Sequence, residues 1–309
     1  MPEKQKQRLL LSVEDLSASQ AKQLIQVAQK LKRGEIGASE KKSEKNPAKI
    51  VILAFFEPST RTALSFEIAA LRLGLKPVNF AAAGSTSLAK GESLHETLVT
   101  LISMKPDLLV VRHSGDAKIE EQLAISEVPV INAGSGTKEH PTQALLDAMT
   151  VFERRDKIEG ERILYVGDIE HSRVARSGNK LFSRLGAAVA VCAPKELMPS
   201  TSDWAQATRF EKLSDALKWS TVCIGLRLQK ERHSKKPYAF NIEEYRLDKK
   251  NLSSLATDAV VMHPGPFIAE LDVSEEILDD PRCAIHDQVT NGVYMRMAVI
   301  GEMLGLSYS

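Results

Sequence analysis

An α/β protein of two domains, each a parallel sheet flanked by helices, is the fold class this sequence predicts. Three observations point to it. Short continuous apolar runs of strand length, such as Ile50–Phe56 and Ile163–Val166, alternate with helical segments. Such runs are typical of parallel strands buried on both faces. The strand–helix series runs once through the first half and starts again at Arg162. At 309 residues, the chain is long for one compact core, and two domains of ordinary size are expected.

The elements follow in order. Apolar residues Leu16, Leu24, Ile25, Val27, Ala28 and Leu31 recur near helical spacing and predict an amphipathic helix over Glu14–Arg33. Residues 34–49 are polar and lysine-rich, and read as an exposed loop. After the Ile50–Phe56 strand and the Ser59–Thr62 turn comes a helix closing on Gly74. Strands are expected at Val78–Ala81, Leu108–Arg112 and Val128–Asn132, with helices at Ser93–Ser103, Gln122–Ser126 and His140–Arg154. The second series comprises a strand from Arg162, a helix near Arg173–Leu185, and strands at Ala188–Cys192, Thr221–Leu226 and Ala259–Met262. Alternation of this kind implies right-handed crossovers within parallel sheets. The expected boundary lies in or just after the His140–Arg154 helix, giving domains of residues 1–148 and 149–289. A last helix at Asn291–Leu306, within residues 290–309, is expected to return to the first domain.

Bulk properties exclude several classes. A net charge of +1 gives no reason to expect nucleic acid or an anionic membrane as partner. Three separated cysteines, Cys192, Cys223 and Cys283, form no metal-ligand spacing and suit a reduced intracellular protein. The N-terminal Leu9–Leu11 run is too short for a signal-peptide core. No apolar stretch approaches the ~20 residues that span a bilayer, so the expectation is a cytoplasmic protein. No GxGxxG follows a strand, no GxxxxGK[ST] occurs, and the histidines lack zinc spacing. Neither a cofactor nor a metal is expected.

Candidate site residues cluster where strands end. Ser59-Thr60-Arg61-Thr62 sits between a buried strand and a helix N-terminus, where free N–H groups and the helix dipole attract anions. An N-cap would need only one hydroxyl and would not call for the arginine. Ser87 and Lys90 lie in a Gly/Ser/Thr loop that, read alone, is a solvated turn, with a phosphate role as the lesser alternative. Arg112 ends a strand, at the edge where open α/β sheets bind ligands, although an edge ion pair would look the same. His140 opens a helix whose positive end can hold an imidazole neutral as an N–H donor, or it is a capping or packed histidine. Arg173 and Arg227, with Gln229, follow strand ends too. Paired guanidinium forks suit a substrate with two carboxylates, while an exposed charged loop is the alternative for residues 227–236. His263-Pro264-Gly265-Pro266 either turns backbone carbonyls into a cleft or simply ends a strand.

Taken in order, these blocks resemble the catalytic chains of the aspartate transcarbamoylase family. FFEPSTRT at Phe55–Thr62, SLAKGES at Ser87–Ser93, VRH at Val111–His113, HPTQALLD at His140–Asp147, GDIEHSRVARS at Gly167–Ser177, LRLQKER at Leu226–Arg232 and HPGP at His263–Pro266 carry the likeness. NGVYMRMA at Asn291–Ala298 adds to it. The resemblance implies a carbamoyl phosphate domain and an aspartate domain, with the active site between them and at a trimer interface. It implies that Ser59, Thr60, Arg61 and Thr62 bind phosphate, and that Thr62, Arg112 and His140 hold the carbonyl oxygen. Gln143 and the backbone at Pro264 and Gly265 would hold the carbamoyl NH2. Arg173, Arg227 and Gln229 would bind aspartate, and a neighbouring subunit of a homotrimer would lend Ser87 and Lys90. Regulatory or dihydroorotase chains are further partners that the resemblance allows.

Two departures and two rivals complete the reading. Phe267–Asp272 stands where the family commonly has an arginine and an acidic residue, and Glu96 stands where aspartate is usual. An ornithine-type transcarbamoylase should offer a carboxylate or thiol to the extra ammonium, typically a cysteine in an HCLP block, whereas HPGP and a basic LRLQKER occur here. A non-catalytic homologue acting as a binding or assembly subunit should have lost catalytic residues, yet Arg61, Lys90, Arg112, His140 and Arg173 are present.

Overall fold

The structure, a computed structural model, describes residues 8–37, 48–81, 91–227, 241–269 and 271–309. Contacts gather the chain into two units, Met1–Thr142 with Asn291–Ser309, and Gln143–Thr290.

The first unit holds β1 (Leu9–Leu10), α1 (Ala18–Arg33), β2 (Ile50–Phe55), α2 (Thr60–Arg72), β3 (Lys76–Ala81), α3 (Leu94–Ser103), β4 (Leu108–His113), α4 (Ala117–Ala124) and β5 (Val130–Ser135). Its strands form one parallel sheet in the order β1-β5-β4-β2-β3. Val51, Leu53 and Ala54 of β2 and Leu108–Val111 of β4 are fully buried, as expected of central parallel strands. Pro77 lies in β3, the edge strand, where a missing N–H costs least. Residues 291–309 belong to this unit, with the Arg296 guanidinium 5.1 Å from the Phe66 ring and Arg72 5.2 Å from Tyr294.

Helix α5 (Pro141–Arg155) leads into the second unit. That unit holds β6 (Arg162–Val166), α6 (Arg173–Arg184), β7 (Ala188–Cys192), β8 (Thr208–Phe210), α7 (Leu213–Trp219), β9 (Val222–Gly225), α8 (Lys249–Leu252) and β10 (Val260–Met262). A second parallel sheet runs β10-β9-β6-β7-β8, and α9 (Ile285–Leu304) closes the chain. Its core gathers Leu164, Val166, Cys192, Leu217 and Val261. No helix of the described residues is long and apolar enough to cross a membrane.

Element boundaries differ from the sequence reading for local reasons. The first helix starts at Ala18, because Ser12 and Ser17 each begin a separate capped turn, paired with Asp15 and Gln20. The expected Gln122–Ser126 helix is α4, beginning at Ala117, since the Asp116 carboxylate accepts the Lys118 and Ile119 N–H groups. The last helix begins at Ile285, six residues before Asn291. Strands β1 and β8, of 2 and 3 residues, are too short for any periodicity to reveal.

Candidate active site

Each sheet has one point where successive connections leave in opposite directions, and such switch points form crevices at the carboxyl ends of strands. In the first unit β2 connects towards β3 on one side, while β4 connects towards β5 on the other. The switch therefore lies between β2 and β4. Residues 56–62 follow β2 and Arg112 lies near the end of β4, so both stand at this edge.

Ser59 occupies the N-cap of α2 but makes no side-chain capping bond. The first helical bond is donated by Ala63 N–H to the Ser59 carbonyl at 3.1 Å. The N–H groups before Ala63 thus have no capping oxygen from Ser59, unlike those of α1, α3 and α6, which Ser17, Ser93 and Ser172 cap. Thr60 and Arg61 are exposed and Thr62 is buried. An ordinary cap does not account for Ser59.

Arg112 is half-buried, its Nε 3.7 Å from Glu57 Oε2 and its Nη1 3.5 Å from the Ala133 carbonyl. The ion pair expected as an alternative is present, loosely, and it holds the guanidinium at the sheet edge. Next to Arg112, His113 is buried, and desolvation lowers its pKa despite the opposing charges of Glu120, Glu57 and Asp116. Its Nδ1 accepts the Gly115 N–H at 3.1 Å. After β5 the chain turns back, with Ser135 N–H donating to the Glu139 carbonyl at 2.9 Å, and this turn delivers buried His140 to the start of α5. A Cβ on Gly136 would come within 2.6 Å of the Ser114 carbonyl oxygen, so this approach of two loops requires glycine.

In the second unit β6 connects towards β7 while β9 lies on its other side, which puts the switch between β6 and β9. Arg173 is the first residue of α6, after β6, and Arg227 follows β9; both are half-buried. The two loops touch. Leu226 N–H donates to the Val166 carbonyl at 2.8 Å, and a Cβ on Gly167 would fall 2.6 Å from the Leu226 carbonyl oxygen. Fully buried Asp168 accepts the His171 N–H at 3.3 Å and contacts its Nδ1 at 2.9 Å. Ser172 then caps α6 through the Ala175 N–H. This succession of turns sets Arg173 in place.

His263-Pro264-Gly265-Pro266 follows β10, with a cis Gly265–Pro266 peptide. His263 Nδ1 accepts the Gly265 N–H at 2.9 Å, the same His-x-Gly turn that ends β4. The segment without the family's arginine closes on itself. Buried Asp272 accepts the Ile268 N–H at 3.0 Å, and the Phe267 ring stands edge-on to His263 with centroids 5.9 Å apart. The other departure has a role as well, since Glu96 completes a reciprocal cap with Ser93.

Gln143 is buried in the first turn of α5, its Nε2 donating to Asp147 Oδ1 at 2.9 Å. Ser87, Lys90 and Gln229 lie outside the described residues. Sequence reasoning passed over Asp147, Asp168 and Gln288. Asp147 could have been found as the i+4 partner of Gln143 on a helix. Burial pushes the Cys192 thiol up to about 12 and raises Cys223 further, which keeps both protonated near neutrality.

Two family models match the chain. Residues 8–153 match "Aspartate/ornithine carbamoyltransferase, carbamoyl-P binding domain", and residues 159–303 match "Aspartate/ornithine carbamoyltransferase, Asp/Orn binding domain". An aspartate carbamoyltransferase catalytic subunit of Thermobifida fusca is 43% identical, covering 96% of this chain and 95% of that protein. One from Helicobacter pylori is 37% identical, covering 96% and 98%. Crystal structures of Trypanosoma cruzi aspartate transcarbamoylase are similar too. The complex with N-(phosphonacetyl)-L-aspartic acid gives a TM-score of 0.82 at 33% identity, covering 96% of this chain and 94% of that one. The complex with carbamoyl phosphate gives 0.82 at 31%, covering 96% and 95%.

Proposed function

The chain belongs to the aspartate/ornithine carbamoyltransferase family, and on that premise we infer that it is an aspartate carbamoyltransferase. It converts carbamoyl phosphate and L-aspartate to N-carbamoyl-L-aspartate and phosphate, an early step of de novo pyrimidine biosynthesis. One observation carries the choice of acceptor: Arg173 and Arg227 follow β6 and β9, the two strands that flank the second unit's switch point. Two guanidinium forks there suit the two carboxylates of aspartate.

The first unit serves carbamoyl phosphate. Ser59, Thr60, Arg61 and Thr62 receive the phosphate on the uncapped N–H groups of α2. Thr62, Arg112 and His140 donate to the carbonyl oxygen, where negative charge grows as the amine adds. The acceptors on the second unit, Gln143 and the backbone carbonyls of Pro264 and Gly265, take the carbamoyl NH2. Arg173, Arg227 and Gln229 hold aspartate. The aspartate nitrogen forms the new bond to the carbamoyl carbon, the carbon–oxygen bond to phosphate breaks with its electron pair on phosphate, and the amine proton leaves to phosphate or solvent. Orientation and donors placed at the developing oxyanion supply the acceleration. No covalent intermediate on the protein is required.

Ser87 and Lys90 act from a neighbouring subunit, so the working form is a homotrimer with shared sites. Free, largely buried thiols suit the reducing cytoplasm. A carbamoylation assay comparing L-aspartate with L-ornithine tests the reading. Citrulline formation alone would convert it to the ornithine-type enzyme, and turnover of neither would leave a binding subunit.

A further inference from the structure

A buried relay in the second unit joins two groups to which the proposed mechanism gives the same task. Gln143 Nε2 donates to Asp147 Oδ1 at 2.9 Å, and Gln288 Nε2 donates to the same oxygen at 2.7 Å. Gln288 Oε1 in turn accepts the backbone N–H of His263 at 2.8 Å. Asp147 is fully buried, and Gln288 and Gln143 nearly so. One end of the relay is the amide of Gln143. The other is the first residue of the His263–Pro266 turn, whose Gly265 N–H is tied back to His263 Nδ1.

The chemistry of the relay fixes its direction. The two ends of a glutamine amide are nearly identical in shape, and only its hydrogen-bond partners decide which end is oxygen. A backbone N–H can only donate, so Gln288 must turn its oxygen to His263 and its NH2 to Asp147. The Asp147 oxygen that receives the Gln288 NH2 also receives that of Gln143. The Gln143 oxygen then occupies the opposite end of the amide. Carbamoyl NH2 is a donor, and only the oxygen end of Gln143 can receive it. With the amide reversed, two NH2 groups would face each other, leaving both donors unsatisfied in a desolvated site. Burying a carboxylate is costly unless its partners compensate, and an apolar side chain would fill the same helix position without that cost.

We propose that Asp147 is a positioning residue for carbamoyl transfer: through Gln143 and Gln288 it sets the amide of Gln143 and anchors the His263–Pro266 turn, so that both present acceptors to the carbamoyl NH2. The proposal rests on the carbamoyl transfer assigned above. It extends that reading to two residues, Asp147 and Gln288, that touch no substrate.

Exchange of donor and acceptor tests it. Gln143→Glu sets two carboxylates against each other and lowers kcat/KM by roughly 10–100-fold, the loss typical of displacing a group that orients a ligand-binding residue. Asp147→Asn keeps an oxygen that can accept both glutamine NH2 groups and retains most of the activity, whereas Asp147→Leu removes that oxygen and lowers kcat/KM by roughly 10–100-fold. Gln288→Leu severs the anchor of His263 and raises KM for carbamoyl phosphate more than KM for aspartate. A merely structural role would lower kcat through the folded fraction and leave both KM values unchanged, and urea unfolding of each variant measures that fraction. Equal kcat/KM for the folded Asp147→Asn and Asp147→Leu variants, or equal change in both KM values for Gln288→Leu, overturns the proposal. Absence of aspartate carbamoylation by the unaltered protein would instead overturn the functional reading.

Discussion

The two units solve one topological problem with different chemistry. Both are parallel sheets of five strands with a switch point beside the strand that opens the main series, β2 in one and β6 in the other. Each of these strands leads through a serine at the N-cap into a helix, Ser59 before α2 and Ser172 before α6. Ser172 caps its helix and Ser59 does not. Where the serine caps, the proposed anion contact is a side chain, Arg173, in the first turn. Where it does not, the first N–H groups of α2 lack a serine capping oxygen, with Arg61 in addition. Topology locates the mouth of each sheet, and the residues at the helix entry decide whether a phosphate or a carboxylate suits it.

The largest expected effect falls on the first mouth. Arg61 is exposed, so Arg61→Ala should shift the urea midpoint little, since surface substitutions usually stay within about 0.5 kcal/mol. In the proposed mechanism its charge meets the phosphate as it leaves. Loss of one such stabilising group costs on the order of 10²–10³ in kcat. Steady-state kinetics at saturating aspartate measures this, and unchanged turnover would remove Arg61 from the phosphate site.

A different signature is expected at the second mouth. On the proposed assignment, Arg227→Ala removes one carboxylate fork. A hydrogen-bonded charged group contributes about 1.5–3 kcal/mol, which corresponds to roughly 10–100-fold. That loss should appear mainly as a raised KM for aspartate, with KM for carbamoyl phosphate nearly constant. If both KM values rose together, the division of labour between the two units would be wrong.

The two mouths were unequally legible in the sequence. Central strands such as Ile50–Phe55 and Leu108–His113 announce themselves as continuous apolar runs, and residues at their ends follow from the rule that ligands gather there. Ser59–Thr62 stands out because one cap does not need three hydroxyls and an arginine. Contacts over long separations were hidden. Gln288 meets Asp147 across 141 positions, and nothing in either local pattern marks the pair. Ser59 and Ser172 were hidden in another way, since both read as N-caps and only the hydrogen bond at the helix entry separates them. The segment after His263–Pro266 was legible only as a departure, yet Asp272 closes it on the Ile268 N–H.

The smallest effect bears most directly on the comparison, because it exchanges the same side chain at equivalent positions. Ser172→Ala deletes the oxygen that accepts the Ala175 N–H at 3.1 Å. Loss of a serine cap typically costs about 1 kcal/mol, which urea unfolding resolves. Ser59→Ala deletes no capping bond, so its unfolding free energy should stay within about 0.5 kcal/mol of the unaltered protein. Its cost should appear in KM for carbamoyl phosphate instead, roughly tenfold for one hydrogen bond to a charged group. The two serines would then report opposite quantities, stability in one unit and binding in the other. Equal losses of stability would mean that Ser59 is an ordinary cap. The helix end of α2 would then be no more open to an anion than that of α6, and phosphate binding would rest on the side chains of Thr60, Arg61 and Thr62 alone.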